Sequence, residues 1–226
     1  MNKILPIALG AAVLVGGGAF FATQSGTTPG TSALSPVTPA FAQDAEGAAD
    51  VELAPDMVLG EADAPITMIE YASFTCPHCA DFHERVWEDL KTDYIDTDKV
   101  KFVNREVYFD KYGLWAGLVA RCGGEMRYFG ITDILFQTQR DWIGGGQESE
   151  ILDNLKTIGK TAGMSEDQLD TCLNDNAMAQ SMVAAYQQNA TEDDVTGTPT
   201  FIINGEKYSN MTYDDLKVIL DGLLES

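Results

Sequence analysis

Ile66-Thr67-Met68-Ile69-Glu70-Tyr71-Ala72-Ser73-Phe74-Thr75-Cys76-Pro77-His78-Cys79 sets two cysteines between a strand-like run and a helical one. The first run is Ile66 to Tyr71. Beyond the cysteines, Phe82, Val86 and Leu90 recur at four-residue spacing with Trp87 beside them, one apolar stripe of a helix over Phe82 to Leu90. A Cys-x-x-Cys pair at a strand-to-helix junction is a redox arrangement. A cysteine at a helix N-terminus lies beside unpaired backbone N–H groups and the positive end of the helix dipole, and both stabilise a thiolate. Such thiols ionise at about 3.5–7.5 instead of roughly 8.5. The thiolate is the attacking species in disulfide exchange, and a thiol of low pKa leaves faster. Pro77 stands where a first helical turn tolerates a missing N–H. His78, between the sulfurs, can add a donor or a positive charge.

The remaining composition narrows the function. The chain has 226 residues, 45% hydrophobic, enough for one large domain or one domain with an insertion. Its formal charge of −21 argues against a nucleic-acid partner, which needs clustered Lys and Arg. The four cysteines are Cys76, Cys79, Cys122 and Cys172, an even count that suggests two pairs in an exported protein. Export follows from the N-terminus: Met1-Asn2-Lys3 is a short positive region, and Ile4 to Ala22 carries no charge. Residues 1–22 therefore read as a signal peptide or an N-terminal membrane anchor. Ala40-Phe41-Ala42 offers a cleavage site as late as residue 42. The expected location is the periplasm, free or tethered to the inner membrane.

Residues 23–55 are rich in Thr, Ser, Pro, Gly and Ala, the composition of a flexible polar linker. From Asp56 the pattern reads as strand (Met57-Val58-Leu59), strand (Ile66–Tyr71), helix, and strand (Val100–Tyr108). Helical segments follow over Leu114–Met126, Tyr128–Thr138, Glu148–Thr161, Ser165–Leu173 and Ala177–Asn189, the fourth opened by a Ser165-to-Gln168 capping box. Strand character returns at Thr200–Ile203, turns at Asn204-Gly205 and continues through Glu206–Tyr208. Thr212 then caps a final helix. Residues 56–112 and 193–226 thus form two halves of one mixed sheet flanked by helices, and 113–192 a helical insertion. Trp115, Met126, Phe129, Trp142 and Tyr186 are expected in the core of that insertion. His83, four residues after Cys79, is expected at the surface or as a packing residue. A closed zinc site needs four ligands, and only His78 and His83 accompany the cysteines, so no metal is expected.

Glu70 to Cys79, the run Thr196-Gly197-Thr198-Pro199-Thr200-Phe201-Ile202-Ile203-Asn204-Gly205 and the helical block between them resemble the DsbA-type thiol:disulfide oxidoreductases of bacterial envelopes. The likeness runs from about Asp56 to Glu225. It implies an α/β thioredoxin fold with an inserted all-helical subdomain, and it implies roles. Cys76 is the exposed nucleophile, Cys79 the buried resolving thiol, and Pro77 and His78 the variable pair that tunes Cys76. Pro199 is a cis-proline facing the dithiol, and Thr198 presents its backbone to an extended substrate. Glu70 is an acidic residue beneath the dithiol that relays the Cys79 proton. Cys122 and Cys172 lie outside the minimal pattern; paired, they close a loop of about 50 residues, worth roughly 4 kcal/mol in a chain-entropy account.

By this resemblance the protein donates its Cys76–Cys79 disulfide to reduced, unfolded exported proteins. A DsbB-like quinone-coupled membrane reductase then reoxidises it. No cofactor is implied beyond the two cysteines. Isomerases of this kind carry a dimerisation module, for which the segment before Asp56 is too short, so a monomer is expected. Two alternatives stay open. One is a reductase or isomerase kept reduced by a membrane electron donor; the other is a non-catalytic holdase for unfolded segments.

Overall fold

Ile66–Ala72 is the central strand of a five-stranded sheet, and its alternation explains the layers built on it. Ile66, Met68 and Ala72 point into the main core with Phe82, Trp87, Leu216 and Leu220, while Ile69 and Tyr71 turn to a second cluster with Val107, Ile202, Tyr186 and Ala190. The computed structural model describes residues 51–226. The expected export segment 1–22, the cleavage site at 42 and most of the 23–55 linker lie outside the described residues.

In chain order the elements are β1 (Met57–Leu59), β2 (Ile66–Ala72), α1 (Pro77–Arg85), α2 (Trp87–Leu90), a π-helical turn (Lys91–Ile95) and β3 (Val100–Glu106). Then come α3 (Lys111–Cys122), α4 (Glu125–Gln137), α5 (Gln139–Ile143), α6 (Glu148–Thr161), α7 (Glu166–Leu173) and α8 (Asn176–Glu192). β4 (Thr200–Ile203), β5 (Glu206–Ser209) and α9 (Tyr213–Leu224) close the chain. The sheet order is β1-β3-β2-β4-β5, with β2 and β3 parallel and the other neighbours antiparallel. This is the mixed sheet expected, a βαβ unit and a ββα unit joined through β2 and β4, with the six helices α3 to α8 inserted between them. The Ser165 capping box forms, and Thr212 caps α9 through the Asp215 N–H. Asn204 and Gly205 turn the β4–β5 hairpin at φ of 48° and 88°, the left-handed backbone such a two-residue turn requires.

Three differences from the sequence reading have physical causes. The helix expected to run from Phe82 to Leu90 breaks at Val86, whose φ of −122° leaves the helical region; Val86 and Trp87 are nevertheless both buried, so the stripe continues around a bend. Packing begins before Asp56: the Ala54 N–H bonds the Ser181 carbonyl of α8, the Ser181 hydroxyl bonds the Glu52 carbonyl, and Ala54 is buried. Met126 is 100% exposed. It stands in the first turn of α4, and that helix buries Tyr128, Phe129, Ile131 and Leu135 instead.

The insertion has a polar seam of its own. Arg121 of α3 grips the buried Glu106 carboxylate at the end of β3, with Nε 2.8 Å from Oε1, and the Tyr128 hydroxyl donates to the same oxygen at 2.8 Å. Cys122 and Cys172 form a disulfide that ties α3 to α7 across 50 residues. Among the described residues no helix is long and apolar enough to cross a membrane.

Candidate active site

Cys76 occupies the N-cap of α1, in extended conformation, and Pro77 opens the helix. An N-cap side chain normally supplies an oxygen that accepts the backbone N–H groups of the second and third helical residues. Here no side-chain oxygen does so, and those N–H groups belong to His78 and Cys79. The Cys76 sulfur stands at the capping position, where those N–H groups favour a thiolate over a thiol. The Cys76 thiol is accordingly pulled down to about 5, first by the Cys79 thiol, then, against the penalty of burial, by Thr198 and the N–H groups of Cys79 and His78. Cys79, one turn into α1, is fully buried, and burial above all pushes its thiol far up, with the Cys76 sulfur and the Glu70 charge adding to the effect. Both are free thiols in this structure. Two cysteines three residues apart thus hold protons with opposite tenacity.

The opposite wall comes from the far end of the chain. The Thr198–Pro199 peptide bond is cis. The Cys76 thiol donates to the Thr198 carbonyl at 3.5 Å, and the buried Thr198 hydroxyl has no hydrogen-bond partner, which leaves it free to donate to a thiolate. Cys76 itself is 8% exposed. The exposed nucleophile expected from the resemblance is therefore a recessed one, because the Thr198 wall covers it. His78 is exposed and borders a groove of about 660 Å³ that continues over Phe82, Arg85, Val86, Met211 and Tyr213.

Beneath the dithiol, Glu70 of β2 is fully buried and stands in register with Asn104 on β3 and Phe201 on β4. Its Oε2 lies 3.0 Å from Nε2 of His83. His83, expected at the surface or as a packing residue, is the second of these, and it also pairs with Glu70. It is 5% exposed, and its ring stacks on Phe136 of α4 with centroids 4.0 Å apart. The signal was available: four residues on from a buried cysteine is the same face of a helix, and a carboxylate waited beneath that face.

The insertion grips the loop before Cys76 in two places that sequence reasoning missed. Asp110, the N-cap of α3, accepts the Tyr112 and Gly113 N–H groups on Oδ1 and the Thr75 hydroxyl on Oδ2 at 2.8 Å. Gln139, buried at the start of α5, donates both hydrogens of its amide, one to the Phe74 carbonyl and one to the Cys76 carbonyl, each at 2.9 Å. Among the described residues no group of three or more His, Cys, Asp or Glu side chains converges as a metal site would need.

The thioredoxin family model matches residues 52–222. A Rickettsia bellii protein, whose name assigns it provisionally as a protein-disulfide oxidoreductase, is 33% identical over 171 residues. That alignment covers 75% of this chain and 65% of the relative, so the chain spans slightly less than two thirds of the relative's length. Among solved structures, Wolbachia pipientis alpha-DsbA1 is similar with a TM-score of 0.71 at 28% identity, covering 76% of this chain and 92% of that one. Oxidised BdbD from Bacillus subtilis is similar with a TM-score of 0.67 at 25% identity, covering 76% and 94%.

Proposed function

The chain belongs to the thioredoxin family, and on that premise we propose that it is a DsbA-type protein thiol:disulfide oxidoreductase that donates a Cys76–Cys79 disulfide to exported proteins. The observation that carries this is the asymmetry of the pair: Cys76 drawn down to about 5 at a helix N-cap, Cys79 buried and driven the other way. Stabilising the reduced thiolate makes the corresponding disulfide a stronger oxidant.

A substrate thiolate attacks Cys76 Sγ. The Cys76–Cys79 bond breaks, its electron pair leaves on Cys79, and Cys79 takes up a proton. The substrate is now held to Cys76 as a mixed disulfide, its backbone alongside Thr198 and Pro199. A second substrate thiolate attacks the first substrate sulfur, and Cys76 departs as a thiolate, for which its low pKa makes it a good leaving group. Two electrons have passed from substrate to enzyme and one substrate disulfide is formed. Glu70 supplies the proton to Cys79, since a buried sulfur with a high pKa leaves poorly as an anion. The two sulfurs hold the electron pair, so the cycle needs no metal or dissociable cofactor. A DsbB-like quinone-coupled membrane reductase would reoxidise the dithiol. We place the protein in the periplasm as a monomer, with residues 1–22 directing export.

The test is the potential of the Cys76–Cys79 pair in glutathione buffers. Oxidising members of this fold lie near −120 mV and reducing ones near about −270 mV, roughly 7 kcal/mol apart. A value at the oxidising end supports disulfide donation. One at the reducing end overturns it in favour of a reductase. Cys76→Ser should abolish disulfide formation, and any effect on substrate solubility that survives would belong to a holdase.

A further inference from the structure

Proton exchange with Cys79 has to cross a buried interior, and the residues behind Glu70 carry several unpaired polar atoms. Glu70 Oε1 and His83 Nδ1 are buried without a hydrogen-bond partner, and so are Trp87 Nε1 and Asp133 Oδ1 apart from the draw of the Trp87 indole on the Asp133 carboxyl. Each such atom forfeits its hydration without a bond in return, and folded interiors tolerate only a few per hundred residues. These four belong to one neighbourhood. His83 bonds Glu70 through Nε2, its ring lies 5.2 Å from the Trp87 ring, and α4, which carries Asp133, packs against α1.

The His83 ring is clamped. Phe136 stacks on it at 4.0 Å, and Phe82 meets it edge-on at 5.7 Å. It cannot swing to a different partner, so whatever Nδ1 does happens on the side away from Glu70. Asp133 on α4 is partly buried; its carboxyl is pushed up by burial and drawn back first by His83 and then by the Trp87 indole. The other polar and charged groups around the pair are Cys76 at the N-cap of α1, Cys79 on α1, Asn104 on β3, and Glu88 and Lys91, which lie beyond Asp133.

We propose that His83 is a positioning residue that compensates the charge of Glu70 during proton transfer, taking up or releasing its own proton at Nδ1, on the side of the ring away from Glu70. The proposal rests on Glu70 as the Cys79 relay and extends it. When the Cys76–Cys79 bond breaks, the proton on Glu70 Oε1 moves to the Cys79 sulfur. A proton taken up at His83 Nδ1 then converts the buried pair from carboxyl and imidazole to carboxylate and imidazolium. The pair is neutral in both states, so no net charge is created in the core. During reoxidation both movements reverse: Cys79 returns its proton to Oε1 as it attacks the mixed disulfide on Cys76, and Nδ1 releases one outward.

The test uses the reduced full chain and an aromatic disulfide that releases a chromophoric thiolate, followed by stopped flow from pH 4 to 9. The first release reports attack by Cys76; the second, independent of reagent concentration, reports resolution by Cys79. His83→Gln keeps a donor toward Glu70 and cannot take up a proton. Its second phase should slow roughly tenfold or more at neutral pH, within the usual range for losing acid–base assistance, and its pH profile should move to higher pH while the first phase is unchanged. Asp133→Asn, which keeps the side chain's size at a partly buried position, should move the profile the same way by a smaller amount. Glu70→Gln separates the two ideas. If it slows the second phase while His83→Gln and Asp133→Asn leave the profile in place, the His83 proposal falls and the Glu70 relay stands. If none of the three slows it, both fall. A slowing in His83→Gln that is equal at every pH marks a packing role and also overturns the proposal.

Discussion

Gln139→Leu should show how far the active-site loop depends on the helical insertion. The leucine fills a similar volume and removes two hydrogen bonds of 2.9 Å, to the carbonyls of Phe74 and Cys76. The Cys76 carbonyl keeps the Ala80 N–H at 3.2 Å as a second donor, so its loss is about 1 kcal/mol. The Phe74 carbonyl has no other donor among the described hydrogen bonds and loses its partner outright, about 1–3 kcal/mol. Together the cost is about 2–4 kcal/mol. A domain of 150–250 residues shifts about 2–4 °C per kcal/mol, so the reduced protein should melt roughly 4–16 °C lower by calorimetry. Alkylation of Cys76 at pH 6 should slow as well, because the loop that aims its sulfur at the His78 and Cys79 N–H groups is no longer held. Gln139→Glu sharpens the test. A carboxylate there faces two carbonyls, so its folded-state pKa lies above the unfolded one and its destabilisation grows as pH rises, easing at pH 4 where it can donate one bond. If Gln139→Leu melts within about 1 °C of the parent and alkylates at the parent rate, the loop is held by other means and the clamp is refuted.

Three further outcomes follow from the geometry. The Cys76 thiolate, followed by its absorbance at 240 nm, should titrate at about 5; since an unfolded thiol ionises near about 8.5, the reduced fold should gain stability as pH rises from about 5 to roughly 8, above which the raised Cys79 thiol works the other way, and a flat melting temperature across that window would contradict it. Replacing both Cys122 and Cys172 by Ala opens a loop of 50 residues and should cost roughly 4 kcal/mol in urea unfolding, with the Cys76 titration unmoved if the pair is purely structural. Gly159→Ala places a Cβ 2.3 Å from Leu169 Cδ2, where α6 meets α7, and should destabilise by about 1–3 kcal/mol; an unchanged urea midpoint would mean that this contact yields freely.

Much of the fold could be read from patterning because the deciding signals are local. The strand before Cys76, the Asn204-Gly205 turn and the Ser165 and Thr212 caps each draw on a few adjacent residues, and each forms as expected. The site was legible where it rests on the same kind of signal, as with Cys76 at a helix start. It was not legible where a polar side chain is committed by something distant. The polarity of His83 argues for the surface until Glu70 is known to lie below it, 13 residues away. Gln139 sits in a polar run, Gln137-Thr138-Gln139-Arg140, that offers no hint of burial; only the bend between α4 and α5 turns it towards carbonyls 63 and 65 residues earlier. Glu106 and Arg121 likewise look like surface charges in sequence, yet they meet in the core because β3 ends where α3 returns.

Cys76 and the carbonyl that meets it across the site are 122 residues apart. A chain made from its N-terminus therefore shows both thiols to its surroundings long before Thr198 exists. Until β4 pairs with β2, Cys76 lacks one of the contacts that lower its pKa, and Glu70 lacks Phe201 as its neighbour. Closing so long a loop adds little to the final balance, about 0.6 kcal/mol per doubling of length, but pairings between strands far apart in sequence form slowly. The delay is thus one of time and not of stability. While it lasts the newly made chain carries a dithiol closer to ordinary reactivity, and its full reactivity switches on once the stretch from Thr198 through β4 has arrived and paired.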